Sequence, residues 1–339
     1  MTQHVWEGKE TKYFYDLSPE AILEAFETST GLRATGRSFI FNSMENRVYE
    51  LEIESDIESQ VDPRRFRIVK FYRPGRWSEQ QILEEHEFLL QLAEDEIPVV
   101  APMRYVDGRT LHCDPKTGLY YAVFPKIQGR APQELAREDL EILGRLLARM
   151  HNVGATKSFT NRLTLSPDTY GVQCLEYLLV HNLIPLTIKD AYRDVVLRIC
   201  DFVRPWFEQI EMRRIHGDCH LGNIVRGSTG FSWIDFDDAV NGPYAQDLWL
   251  MIPGRDEDAM EQLDVLLKAY EMMRPFDRKT LRLIEPLRAL RYNLFSFWIA
   301  SRWQDPAFPR AFPHFGTDKY WHDQLRDMQE QWQLISQVR

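Results

Sequence analysis

The sequence predicts an α+β fold in two lobes, the first small and sheet-bearing, the second larger and mainly helical. Three observations support this. Strand-like runs, alternating or almost wholly apolar, fill much of the first third of the chain. From about residue 132 onward, apolar residues recur instead at intervals of three and four. Within that helical half the stretch 215–240 breaks the period with two short β-like runs, "NIV" and "FSWIDF", beside a dense polar motif.

Taken in order, "SPEAILEAFETSTG" predicts a helix with Ser18 as N-cap, Pro19 at the first helical position and Gly31 near the stop. "RVYELEIE" alternates and places Tyr49, Leu51 and Ile53 on one face of a half-buried strand. "FRIVKFY" is a second strand, apolar apart from its ends and Lys70. In "SEQQILEEHEFLLQL", Ser78 and Gln81 form the capping box that opens a helix. "LYYAVFPKIQG" predicts a buried strand running into a connection marked by proline and glycine, and that connection, from Pro125 to Gly129, divides the chain into an N-lobe, 1–125, and a C-lobe, 126–339. In the second lobe Leu140, Leu143, Leu147, Met150 and His151 share a helix face, and longer helical patterns follow at roughly 188–210, 257–273, 278–303 and 318–337. No internal repeat or low-complexity tract interrupts them.

Composition narrows the class. At 339 residues the chain exceeds what one ordinary core supports, and 44% apolar with 12% aromatic residues excludes disorder. The net charge of −10 is spread along the chain and disfavours nucleic acid, which needs a clustered basic face. Cys113, Cys174, Cys200 and Cys219 make no C-x-x-C pair and no disulfide framework. The N-terminal "MTQHVWEGKETKYFYDLS" has no signal-type apolar core, and no apolar run approaches the ~18 residues of a membrane span. The expectation is a soluble, reduced, cytoplasmic monomer without nucleic-acid or membrane partners.

The polar motif is "RRIHGDCHLGNIV", residues 213–225. His216, Cys219 and His220 are competent zinc ligands, but a structural site would need a second pair in register, and none is present. Ordinary loop residues with local hydrogen bonds would account for any one position. The set is better described by the spacing His216, Asp218, Asn223, which is that of a kinase catalytic loop. There an aspartate orients the attacking hydroxyl and takes its proton, and the asparagine binds magnesium beside the nucleotide phosphates. A second oxygen ligand belongs shortly downstream, and "WIDFDDAVNGP" supplies Asp235 at the end of an apolar strand, with Asp237 where protein kinases have glycine.

The remaining parts are sought in the first lobe. Lys70 is the lone lysine of its strand, and a buried ammonium needs a carboxylate partner. Ile82, Leu89 and Leu92 mark the buried face of the following helix, and Glu85 falls on it, with Glu84 as the fallback. No glycine-rich phosphate loop is present. The turn "NSMEN", residues 42–46, stands in its place, where backbone N–H groups and the Ser43 hydroxyl can meet phosphate.

Together these residues resemble the kinase-like phosphotransferases that include aminoglycoside phosphotransferases, choline kinases and homoserine kinases. "HGDCHLGNI" and "IDFDDAVNGPYAQDLW" match their catalytic-loop and magnesium-loop signatures. "NSMENRVYEL", "VKFYRPGRW", "ILEEHEF" and "RWQDPAFP" resemble one branch, the bacterial stress response kinase A family, over about residues 35–325. The resemblance implies a bilobal protein-kinase-like fold and a cytoplasmic enzyme that uses ATP and Mg²⁺ to phosphorylate Ser/Thr of proteins in a stress response. It implies Asp218 as proton acceptor, Asn223 and Asp235 as magnesium ligands, with Asp235 also catalytic, and Ser43 as an ATP contact. The adenine-binding hinge would be "VFPKI", residues 123–127, with Phe124 and Lys126. His216 would shape the loop and Asp247 would brace it.

The acceptor is the open question. A protein substrate is expected, and a small alcohol or amine is the alternative. Tyr292, Phe295 and Trp298 could line an acceptor pocket or belong to the core, and Glu285, Arg288 and Arg291 could face the acceptor or pair with one another. A nucleotide-binding scaffold without activity is disfavoured because Lys70, Asp218, Asn223 and Asp235 are all present, and a metal-dependent hydrolase because nothing positions a water.

Overall fold

The computed structural model describes Phe14, residues 17–41 and residues 43–337. Most of the N-terminal segment expected to lack a signal, and Asn42 of the "NSMEN" turn, lie outside the described residues. The chain forms two compact units. The first comprises 1–134 and 221–237, the second 135–220 and 238–339.

The first unit is built on helix α1 (Pro19–Thr30) and a five-stranded antiparallel sheet. Its strands are β1 (Ala34–Ile40), β2 (Arg47–Ile53), β3 (Phe66–Phe71), β4 (His112–Cys113) and β5 (Tyr120–Pro125), in the order β1-β2-β3-β5-β4. Ser18 caps α1 by accepting from the Ala21 N–H, and Gly31 ends it at φ 70°, a left-handed conformation that costs glycine little. Strand alternation then sorts the side chains. Leu51, Ile53, Val69, Phe71, Tyr121 and Val123 pack with Ile22 and Phe26 of α1 into one core, with Tyr49 at its margin. The intervening residues, Val48, Glu50, Ile68, Lys70 and Phe124, fall on the opposite face. The register that pairs Val48 with Lys70, Glu50 with Ile68 and Ile68 with Phe124 gathers them into one patch.

Helix α2 (Glu79–Glu94) begins at the Ser78/Gln81 capping box, as expected. It buries Ile82, Glu85, Phe88, Leu89 and Leu92. The segment 221–237 belongs to this unit because its backbone pairs there. Hairpin β7 (Ile224–Gly227) with β8 (Gly230–Trp233) bridges Arg226 to Arg130 and Trp233 to Val99. Gly129 permits that docking, since a Cβ there would collide with the Arg226 carbonyl.

The second unit is helical except for a two-stranded ladder of β6 (Arg213–Ile215) and β9 (Val240–Gly242). Its helices are α3 (Arg137–Ala155), α4 (Gln173–Val180), α5 (Lys189–Glu208), α6 (Ala245–Met251), α7 (Glu257–Glu271), α8 (Ile284–Ser301), α9 (Ala307–Ala311) and α10 (Asp318–Gln337). The α3 face expected from periodicity is buried throughout, from Leu140 to His151. Gly144 lets α3 approach α7, because a Cβ there would strike the Leu266 carbonyl. One expected helix starts late. Over 278–283 the chain makes a 3₁₀ turn, and the α-helix begins only at Ile284. Pro286 is the reason. It has no N–H, so it fits the first turn of a helix but not the interior that a start at 278 would require. Among the described residues no helix is long and apolar enough to cross a membrane.

Candidate active site

In the first unit, the sheet face opposite α1 floors a cleft of about 720 Å³. Ser43, Lys70, Glu85, Phe124, Lys126 and Asp235, all singled out from sequence, line it. Ile68, Val100, Val225 and Ile234 add apolar walls. The Lys126 ammonium is engaged by Glu50 at 2.8 Å and lies over the Phe66 ring.

Lys70 is 7% exposed, and its ammonium lies 2.9 Å from Asp237 and 3.4 Å from Asp235. Burial alone would strip the proton from such an amine. Asp237, then Asp235 and Glu85, outweigh it and raise the lysine's pKa well above its ordinary value, so the cation persists. Glu85 is 1% exposed and is the third carboxylate acting on Lys70, whereas Glu84 is only half-buried. Asp235 follows β8 with φ 59°, a left-handed conformation uncommon outside glycine, and its side chain is 54% exposed. Asn223 ends a 3₁₀ turn, Leu221–Asn223, and its carbonyl accepts from the Ile234 N–H at 3.0 Å, which ties the segment before β7 to the one after β8.

Sequence reasoning missed the hub of this site. Asp237 is buried and accepts from Arg76 Nη1 and from Asn46 Nδ2. Arg76 also lies 3.6 Å from Glu45, which pairs with Arg73 at 3.3 Å. Arg73 then donates to the carbonyls of Met44 and Glu45, and its own N–H donates to Asn46 Oδ1. The turn that replaces a glycine-rich loop is therefore fastened by two buried arginines and one aspartate. Ser43 Oγ closes the turn by accepting from the Asn46 N–H at 3.4 Å. The one available signal was compositional: Arg73 and Arg76 flank a Pro-Gly turn in "YRPGRW", a pattern without periodicity.

The second unit carries the loop that begins "HGD". Gly217 at φ 82° turns it against the Asp238 carbonyl, where a Cβ would collide. Asp247 of α6 holds it. Its Oδ2 accepts from the His216 N–H at 3.0 Å and its Oδ1 from the Gly217 N–H at 2.9 Å, while Gln246 donates to the Gly217 carbonyl. Behind Asp247, His151 bridges Asp247 and the Tyr270 hydroxyl, all three buried. His216 Nδ1 lies 3.3 Å from the Asp218 N–H and accepts from it. The Asp218 carboxylate lies 2.7 Å from Arg291 Nη2 through Oδ1 and 3.4 Å from His220 Nε2 through Oδ2. Burial opposes its charge, but His220 and Arg291 prevail and hold the carboxyl well below the usual carboxylate range. Cys219 is fully buried. Glu285 binds Arg255 through two contacts and lies 3.5 Å from Arg288, so of the three charges on α8 only Arg291 reaches Asp218. Phe295 is 44% exposed against Trp298.

Residues 41–284 match the phosphotransferase enzyme family. The chain is 39% identical over 326 residues, 96% of its length, to the stress response kinase A of Escherichia coli strain K12, covering 95% of that relative. The chain belongs to this phosphotransferase family, in its stress response kinase A branch. The phosphotransferase is also 38% identical over 324 residues to the serine/threonine protein kinase RdoA of Salmonella typhimurium, with 95% and 94% of the two chains covered. Among solved structures it is similar to amicoumacin kinase hAmiN in complex with AMP-PNP, Ca²⁺ and Ami (TM-score 0.74, 20% identity, 96% of each chain). It is similar also to a microcompartment-associated aminopropanol kinase (TM-score 0.62, 19% identity, 94% and 96% covered). At those identities the likeness shows the fold, which is kinase-like and α+β.

Proposed function

We propose that the phosphotransferase is a magnesium- and ATP-dependent kinase that phosphorylates serine and threonine hydroxyls of proteins in a cytoplasmic stress response. The observation that carries the reading is the approach of Lys70 to Asp235. A buried strand cation and an exposed, left-handed strand-end carboxylate meet at 3.4 Å on the floor of one cleft, as a site for phosphate with its counter-ion requires. The curated relatives at 38–39% identity are named as stress response or Ser/Thr kinases, whereas the aminopropanol kinase stands at 19%.

The donor set suits magnesium. The Asn223 amide and Asp235 carboxylate are hard oxygen ligands, and magnesium takes few protein ligands while keeping waters and phosphate oxygens. When bound, the ion neutralises charge on the phosphates.

The chain's own groups do the rest. Phe124 and the backbone around Lys126 receive the base, Ser43 and its turn face the phosphates, and Lys70, kept charged by its carboxylates, binds them. Asp218, held ionised, accepts the hydrogen bond of the acceptor hydroxyl and orients its oxygen toward the γ-phosphorus. As the new P–O bond forms, the bond to the bridging oxygen of ADP breaks and the hydroxyl proton passes to Asp218. The test is labelled ATP with Mg²⁺, offered lysate proteins and pooled small alcohols in parallel. Label in protein that is absent with Asp218→Ala supports the reading, and label confined to a small molecule overturns it.

A further inference from the structure

Arg291 is an unusual neighbour for a catalytic base. It projects from α8 and gives Asp218 one N–H, from Nη2 at 2.7 Å. Among the described residues that is the one hydrogen bond its guanidinium makes. A guanidinium has five N–H donors in a planar fork that matches the two oxygens of a carboxylate or phosphate. The side chain is 37% exposed, so the unused donors are within reach of an incoming group.

The surrounding charge tells the same story. Asp218 is already paired with Arg291 through Oδ1. His220 adds a further nitrogen on Asp218, and Arg162 is committed to the Ala239 carbonyl at 2.6 Å. Both oxygens of Asp218 therefore already have a nitrogen neighbour, so an amine would find that carboxylate engaged. An amine would have to compete with Arg291 for Asp218, whereas an anion would complete the unused half of Arg291. Four residues along the same helix, the exposed Phe295 ring adds apolar surface of a kind a peptide can contact.

We propose that Arg291 selects the acceptor by binding an anionic group that flanks the acceptor hydroxyl, so that the preferred substrates are acidic protein segments. The anion is a carboxylate of Asp or Glu, or a phosphate already present on the chain. This rests on the reading of the enzyme as a protein kinase.

The experiment uses the full-length enzyme, labelled ATP and Mg²⁺, with peptides that carry a single serine flanked by aspartate, phosphothreonine, alanine or lysine. Wild type is expected to favour the acidic peptides over the lysine peptide by about tenfold or more in kcat/KM. The aspartate and phosphothreonine arms identify the source of the anion. Arg291→Lys should retain the preference in part, Arg291→Gln should flatten it, and Arg291→Glu should reverse it. Ratios between peptides cancel any change that a substitution makes to Asp218 itself, and an Mg·ATP titration confirms that each variant is folded. Equal rates on all peptides by wild type, or a preference unchanged in Arg291→Gln, overturns the assignment while leaving the protein-kinase reading intact. Transfer to an amino alcohol with none to any peptide overturns both.

Discussion

Replacing Asp237 with asparagine removes one charge from a buried cluster of ion pairs behind the cleft residue Lys70. The carboxylate is 5% exposed, lies 2.9 Å from the Lys70 ammonium, and accepts from Arg76 and from Asn46, the latter at 3.2 Å. At 2.9 Å and an effective dielectric of about 20, two unit charges attract by roughly 6 kcal/mol. Desolvation of the buried ions offsets several kcal/mol of that. Asparagine preserves the shape and can still accept from Asn46, but it leaves two buried cations facing a neutral group. Removing one member of a buried pair costs about 3–5 kcal/mol, and with two cations affected the upper half of that range is expected. Urea unfolding followed by tryptophan fluorescence measures the loss, and an Mg·ATP titration on the folded variant should show weakened binding as Lys70 is drawn toward Asp235 and Glu85. Arg76→Gln supplies the control. In the Asp237→Asn background it should cost less than alone, with a coupling of about 1–3 kcal/mol. A loss below about 1 kcal/mol, or strict additivity of the two substitutions, would refute the hub.

Three further outcomes are expected. Asp218→Ala should cut turnover by about 10²–10⁴, the usual contribution of a positioned base, while Mg·ATP affinity changes little; wild-type turnover would remove Asp218 from the chemistry. Asp235→Asn should raise the Mg²⁺ concentration for half-maximal activity by at least about tenfold, since even groups behind a metal ligand are worth about 10–100-fold, and an unchanged magnesium curve would reassign the residue. The third concerns pH. Burial pushes the His151 imidazole below its ordinary range against the pull of Asp247. The unfolded chain takes up a proton near pH 6.5 that the folded chain refuses, so stability is fully present above that pH and is lost as pH falls below it. Between pH 7.5 and 5.5 wild type should lose up to about 1.4 kcal/mol more than His151→Gln in urea unfolding. Equal losses would show that His151 takes the proton without penalty.

What was legible in the sequence is what local rules determine. Ser18, Gly31 and the Ser78/Gln81 pair marked helix ends because caps are decided within four residues. Strand alternation put Tyr49, Leu51 and Ile53 on one face before any partner strand was known, and that face packs into the core. Glu85 followed from the burial face of α2. The links that were not legible span long stretches of chain. Arg76 and Asp237 are 161 residues apart, and Arg291 and Asp218 are 73 apart. Nothing in either neighbourhood marks these arginines as partners of an aspartate elsewhere. The late start of α8 was legible in principle, since Pro286 forbids the longer helix, but apolar spacing across 278–283 masked it.

The hub and the missing glycines are one design. A glycine-rich loop offers phosphate a bare row of N–H groups, and its flexibility must be ordered when nucleotide binds. Here the turn carries Glu45 and Asn46, both buried, and its shape comes from bonds to Arg73, Arg76 and Asp237. A turn fixed by such bonds has less conformational entropy to lose when a phosphate binds against it than a glycine-rich one. The arrangement also explains why an aspartate occupies position 237, where protein kinases have glycine. The residue that follows Phe236 is the anion that neutralises Arg76 and joins Asp235 in holding Lys70. Glycine there would leave both cations short of charge, and the turn around Glu45 and Asn46 would lose its anchor at the same stroke.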